Sequence, residues 1–130
     1  ASRLEGLCRY YDVDILVGEP AVTAMDAPQR WTLIPVDRVR VKGKTEPILV
    51  HWLAAETQDP VFKRLSITHS QMLEHYWNME WSNALALLEE LAGQAEYPAK
   101  LITLYQERIA TYRMHPPEPG WDGVFDATFK

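Results

Sequence analysis

The chain has a single cysteine, Cys8, so no internal disulfide can form and nothing in its sulfur content points to an oxidising compartment. A lone thiol on a short helix reads as a small packed hydrophobe rather than as a nucleophile. No apolar run reaches the roughly 20 residues a membrane-spanning helix needs, and no signal-peptide pattern occurs. Positive charge is scarce as well: 13 Lys and Arg stand against 18 Asp and Glu, a formal net charge of −5. Residues 1–56 carry seven basic against eight acidic side chains, and residues 57–130 carry six against ten. A general nucleic-acid binder shows a broad basic face, which this balance argues against. The four histidines, His51, His69, His75 and His115, have neither cysteine partners nor metal-ligand spacing, so a zinc site is not expected. An initiator Met is also missing, and Ala1-Ser2-Arg3-Leu4-Glu5-Gly6-Leu7 already reads as helix, which sets the expectation of a start inside a larger protein. The expected location is cytoplasmic, either free or as the cytoplasmic part of a membrane-anchored parent.

What is present suits a folded domain. With 130 residues, 47% of them apolar and 11% aromatic, the chain can build one ordinary core or two small modules packed together. Its most pointed pattern is Arg38-Val39-Arg40-Val41-Lys42-Gly43-Lys44. In an extended strand the period of two puts Arg38, Arg40 and Lys42 on one face and Val39 and Val41 on the other. Gly43 can take positive φ and bring its backbone close to a ligand, so this cationic strand end can hold a polyphosphate. The alternative is a solvated edge strand guarded by its charges.

The remaining pattern predicts an α+β order. A short helix ends near Arg9-Tyr10-Tyr11, a strand covers Ile15-Leu16-Val17, and a short helix with Pro20 in its first turn runs through Met25. Arg30 to Val36 and Asp37 to Lys42 read as strand interrupted at Pro35, which signals a bulge or an edge. Gly43 to Pro47 reads as a turn and Ile48 to Leu53 as the returning strand of an antiparallel hairpin. The polar stretch Glu56-Thr57-Gln58-Asp59-Pro60 marks a module boundary, dividing the chain into 1–56 and 57–130. Beyond it the period turns helical from Thr68-His69-Ser70-Gln71, which has capping-box form. Apolar stripes then define three helices: Met72, Leu73, Tyr76 and Trp77; Trp81, Ala84, Leu85, Leu88 and Leu91; Ile102, Tyr105, Ile109 and Tyr112. Gly93 fits the C′ position of the second and Pro98 opens the third. The arrangement resembles a tetratricopeptide-type helix pair plus one helix, with a plain small bundle as the alternative. The Pro-rich tail from Pro116 is expected to run extended, and Trp121, Val124 and Phe125 are costly to leave in water.

Three segments in order, Ala1 to Leu7, Ile15-Leu16-Val17-Gly18-Glu19 and Asp37 to Pro47, resemble the last part of class III adenylate/guanylate cyclase catalytic domains. This resemblance covers about residues 1–54. Residues 65–130, down to Trp121-Asp122-Gly123-Val124 and Lys130, are similar to a helical extension found behind some bacterial cyclase domains. The resemblance implies a partial ferredoxin-like α+β domain followed by a helical module. It also implies ATP as substrate, bound between two such domains in a homodimer, and cyclic AMP and pyrophosphate as products. On this likeness Arg3 matches the arginine of the Asn-x-x-x-Arg helix, which stabilises the transition state, and Lys42 matches the phosphate-binding lysine. The asparagine of that helix, the base-selecting residues and the two aspartates that hold Mg²⁺ or Mn²⁺ would all lie upstream. Asp12, Asp14 and Asp37 are therefore not metal ligands, and the 130 residues alone are expected to be inactive. Arg38, Arg40 and Lys44 receive no catalytic role and are expected in surface pairs. Two other functions remain open: a non-catalytic cyclase-like module for dimerisation or partner binding, and a nucleic-acid-binding hairpin.

Overall fold

The computed structural model describes residues 2–24, 31–41, 43, 45–55 and 59–127, and of residues 2–5 the backbone alone. The first helix, α1 (Ser2–Tyr11), buries Leu7 and Tyr11, four residues apart on one face. It stops where Asp12 takes φ 59°, so that the Val13 N–H reaches back to the Cys8 carbonyl at 3.0 Å. Bonds of this kind satisfy carbonyls that a helix end leaves without partners. Strand β1 (Leu16–Gly18) and the single-turn helix α2 (Glu19–Thr23) follow, with Pro20 in the first turn as its fixed φ favours.

Strands β2 (Thr32–Arg40) and β3 (Ile48–Ala55) pair antiparallel, and Gly43 in the connection has φ 88°. Pro35 does not interrupt β2. The strand runs through it with a register shift: Pro35 lies opposite His51 and Asp37 opposite Val50, which leaves Val36 as the extra residue of a bulge. The bulge changes the phase of the alternation. Thr32, Ile34 and Val36 point inward before it, Asp37 and Val39 after it, so two consecutive side chains, Val36 and Asp37, are buried.

After β3 the chain is helical: α3 (Pro60–Trp77), α4 (Trp81–Ala92) and α5 (Ala99–Met114). The expected start of α3 at Thr68 is corrected by eight residues. Pro60 occupies the first turn, where its missing N–H is no loss, and Asp59 Oδ1 accepts from the Val61 and Phe62 N–H groups at 2.9 and 3.3 Å. The Thr68-to-Gln71 pattern lies inside the helix. Gly93 does follow α4 directly, but at φ −79° it adopts an ordinary right-handed conformation and not the left-handed one expected of a C′ glycine. The earlier expectations for Met25, Lys42, Lys44, Lys130 and the boundary residues 56–58 lie outside the described residues.

A last short strand, β4 (Phe125–Asp126), pairs parallel with the end of β2 and completes the sheet order β1-β3-β2-β4. Helix α3 packs on β2, α4 on α3 and α5 on α4. One core runs from Leu7, Tyr11 and Val39 to Leu73, Leu88 and Tyr105. The described residues thus form an α+β structure with five helices and one four-stranded sheet. None of these helices is long and apolar enough to cross a membrane.

Candidate functional site

Arg3 sits in the first turn of α1 with its side chain outside the described residues. Lys42, two residues beyond β2, lies outside them altogether. What the structure does describe is how the helix that carries one and the strand that leads to the other are held together.

The β2 bulge is the anchor. Its extra residue presents the Val36 carbonyl, which accepts the Tyr105 hydroxyl at 2.5 Å and His69 Nε2–H at 3.2 Å. Both donors come from the helices. Asp37, 0% exposed, accepts on Oδ2 from the Tyr11 hydroxyl of α1 at 2.5 Å and from Arg108 Nη1 of α5 at 2.8 Å. Its Oδ1 accepts from the Arg38 N–H at 2.9 Å. A buried carboxylate is tolerated when it is paired and hydrogen-bonded in this way. Arg108, 8% exposed, also donates from Nη2 to the Tyr10 hydroxyl at 3.2 Å, and its guanidinium carbon lies 3.8 Å from the centre of the Phe125 ring. One further contact joins α5 to α1: Lys100 Nζ donates to the Arg9 carbonyl at 2.7 Å, placing a cation at the negative end of that helix.

The cationic face of β2 is covered by the tail. Arg38 Nη1 donates to the Asp122 carbonyl, and its guanidinium carbon stands 4.1 Å from the centre of the Trp77 ring. Arg40 pairs with Asp126 at 2.7 Å and donates from Nε to the Thr45 carbonyl at 3.1 Å, while its own carbonyl accepts the Ala127 N–H at 2.9 Å. Trp121 closes an aromatic cluster with Tyr76, Trp81 and Tyr112, its ring centre 5.1 Å from that of Tyr112 and 5.5 Å from that of Tyr76. The expected surface pairs of Arg38 and Arg40 are made with the tail at Asp122 and Asp126, with Trp77 and the Thr45 carbonyl as further contacts.

His69 is fully buried between sheet and helices. Val36 O can only accept, so Nε2 carries the proton and Nδ1 accepts from the Tyr97 hydroxyl at 2.6 Å. Burial lowers its pKa to about 4 against the opposing backbone bond, so the ring is neutral near pH 7. His51 and His75 pair with Glu19 and Glu80. Among the described residues no three His, Cys, Asp or Glu side chains stand together as a metal site. A groove of about 550 Å³ opens beside the Asp37 cluster, lined by Tyr10, Lys100, Glu107, Arg108 and Phe125 among others.

Sequence reasoning missed Asp37 and Arg108 as partners. Asp37 is the residue at which the strand resumes after Pro35, and a bulge at the proline would turn it inward. That signal was available. Nothing in the local pattern singles out Arg108, whose helix reads as an ordinary amphipathic stripe.

No family model matches the chain, and no solved structure matches it. A curated adenylate cyclase from Anabaena cylindrica is 39% identical over 56 residues. That stretch is 42% of this chain, and the match spans 11% of the length of the cyclase. Over part of its length, the chain is related in sequence to an adenylate cyclase.

Proposed function

We propose that this chain contributes the end of a class III adenylate cyclase catalytic domain, with a helical extension packed behind it. The observation that carries the proposal is the partial similarity to a curated adenylate cyclase. In this reading ATP binds between two catalytic domains of a homodimer, and the ribose 3′-oxygen attacks the α-phosphate with expulsion of pyrophosphate. Negative charge builds on the nonbridging and leaving oxygens and is stabilised by fixed cations. Arg3 supplies forked, planar donors to the α-phosphate in the transition state, and Lys42 a point charge to the β- and γ-phosphates. Mg²⁺ or Mn²⁺ would polarise the phosphates in the parent. This reading assigns the ions to aspartates upstream.

The test is cyclic AMP formation from Mn-ATP by the full-length protein and its Lys42→Ala and Arg3→Ala forms. Each substitution should lower turnover on the order of a hundredfold, as loss of one charge-assisted contact in a transition state does. Turnover within a few fold of wild type in both variants overturns the assignment. The isolated 130 residues should form no cyclic AMP.

A second reading, a non-catalytic module for dimerisation or partner binding, draws on the engagement of Arg38 and Arg40 by the tail. It predicts concentration-dependent association of the chain and no nucleotide turnover by the full-length protein.

A further inference from the structure

Helix α1 packs mainly on β1 and α5, and its link to β2 runs through the hydrogen-bonded cluster at the bulge. Arg108 is the member of that cluster that touches both sides. One nitrogen binds Asp37 on β2 at 2.8 Å, and another binds Tyr10 on α1 at 3.2 Å. Asp37 is in turn shared with Tyr11, the last residue of α1. A buried ion pair of this kind contributes little stability beyond what well-packed apolar side chains of the same volume would give. Its geometry is another matter, because a planar fork with fixed donor directions sets a distance that an apolar contact leaves loose.

We propose that Arg108 is a positioning residue of the nucleotide site. From the helical part it ties the end of α1 to the β2 bulge, and so sets the spacing between the helix that carries Arg3 and the strand that leads to Lys42. The inference rests on the cyclase reading above, and it gives the helical extension a function in that reaction: alignment of the helix that carries Arg3 with the strand that leads to Lys42. A shift of about 1 Å between such groups is enough to cost on the order of a hundredfold in rate.

The experiment uses the full-length protein in three forms: wild type, Arg108→Lys, and the double variant Asp37→Asn with Arg108→Met. The double variant leaves no buried charge unpaired and is expected to melt within about 5 °C of wild type. Its kcat with Mn-ATP should fall roughly ten- to a hundredfold while KM for ATP moves less than about threefold. Amide hydrogens of α1 and β2 should exchange faster than in wild type. Arg108→Lys keeps the charge but not the fork, and should lower kcat about tenfold; it carries the test should the double variant fail to fold. Wild-type kcat in a folded variant overturns the positioning role. Unchanged exchange at α1 and β2 overturns the tie itself, whatever the turnover. Absence of cyclic AMP from the wild-type protein, or indifference to Lys42→Ala, overturns instead the cyclase reading on which the catalytic consequence rests.

Discussion

Gly123 lies so close under the indole of Trp77 that a Cβ on it would stand 2.2 Å from Trp77 Cδ1, and its φ of 82° is one that L side chains rarely adopt. The Arg38 guanidinium carbon stands 4.1 Å from the centre of the same ring. The Trp121-Asp122-Gly123-Val124 run is therefore a fitted plug. Trp121 enters the aromatic cluster, the Asp122 carbonyl receives Arg38, Asp122 Oδ1 receives the Val124 N–H at 3.1 Å, and Gly123 makes room for Trp77. Gly123→Ala combines left-handed strain of about 1–2 kcal/mol with overpacking of about 1–3 kcal/mol, and should destabilise the chain by roughly 2–5 kcal/mol. Urea unfolding measures the loss, and amide exchange at Phe125 and Asp126 shows whether the tail has lifted. Wild-type stability with a protected tail would contradict the packing described.

His69 makes stability depend on pH. Its folded pKa of about 4 lies below the ordinary histidine value of 6.5, so the unfolded chain binds more protons between those values. Stability is then complete above about pH 6.5 and falls as pH drops toward 4, by about 3 kcal/mol over the window. His69→Gln removes the titrating group while keeping hydrogen-bonding atoms near Val36 and Tyr97. Urea midpoints for both proteins across pH 4 to 7 should show a shallower slope for the variant, and parallel curves would exclude His69 as the source.

Tyr11 tests the cluster from the α1 side. Tyr11→Phe removes one of the donors to Asp37 and leaves every packing atom in place. A buried charged acceptor that loses a donor should cost about 1.5–3 kcal/mol, read as a lowered urea midpoint at unchanged m-value. A change under about 0.5 kcal/mol would mean that Arg108 and the Arg38 N–H satisfy Asp37 without the Tyr11 hydroxyl.

Asp59→Ala isolates the cap of α3. The side chain accepts from two N–H groups in the first turn, and its loss should lower stability by about 1 kcal/mol. Asp59→Asn, which keeps an accepting oxygen, should recover most of it.

How far the fold was readable follows from the range of the interactions involved. Alternation along Arg38 to Val41 is a local property of a strand, and it assigned Val39 and Val41 to the interior, where both lie. The hairpin and the apolar stripes of the last two helices are local in the same sense. The start of α3 was misread because Asp-Pro has two meanings, a loop or the cap and first residue of a helix, and the choice depends on what Val61, Phe62 and Leu65 pack against. Thr68 to Gln71 then supplied a capping pattern by chance within an amphipathic helix.

The site was less readable for the same reason. Asp37 and Arg108 are 71 residues apart, and each taken alone is an ordinary solvated charge until the bulge turns one of them inward and α5 presents the other. His69 and Val36 O, 33 residues apart, are a second such pair. Arg3 and Lys42 could be named only through likeness to a family, since neither residue carries a local mark of its role.

The parallel pairing of β4 with β2 has a consequence for biogenesis. Arg40 meets Asp126, 86 residues further along, so the sheet is completed only when β4 has been made. At about 5–20 residues per second, β2 waits on the order of ten seconds for its outer neighbour, and Asp37 waits nearly as long for Arg108. Vectorial synthesis therefore presents a nascent strand whose charges are unmatched until first α5 and then β4 have been made. Contacts of such long sequence separation also predict slow refolding of the isolated chain for its size.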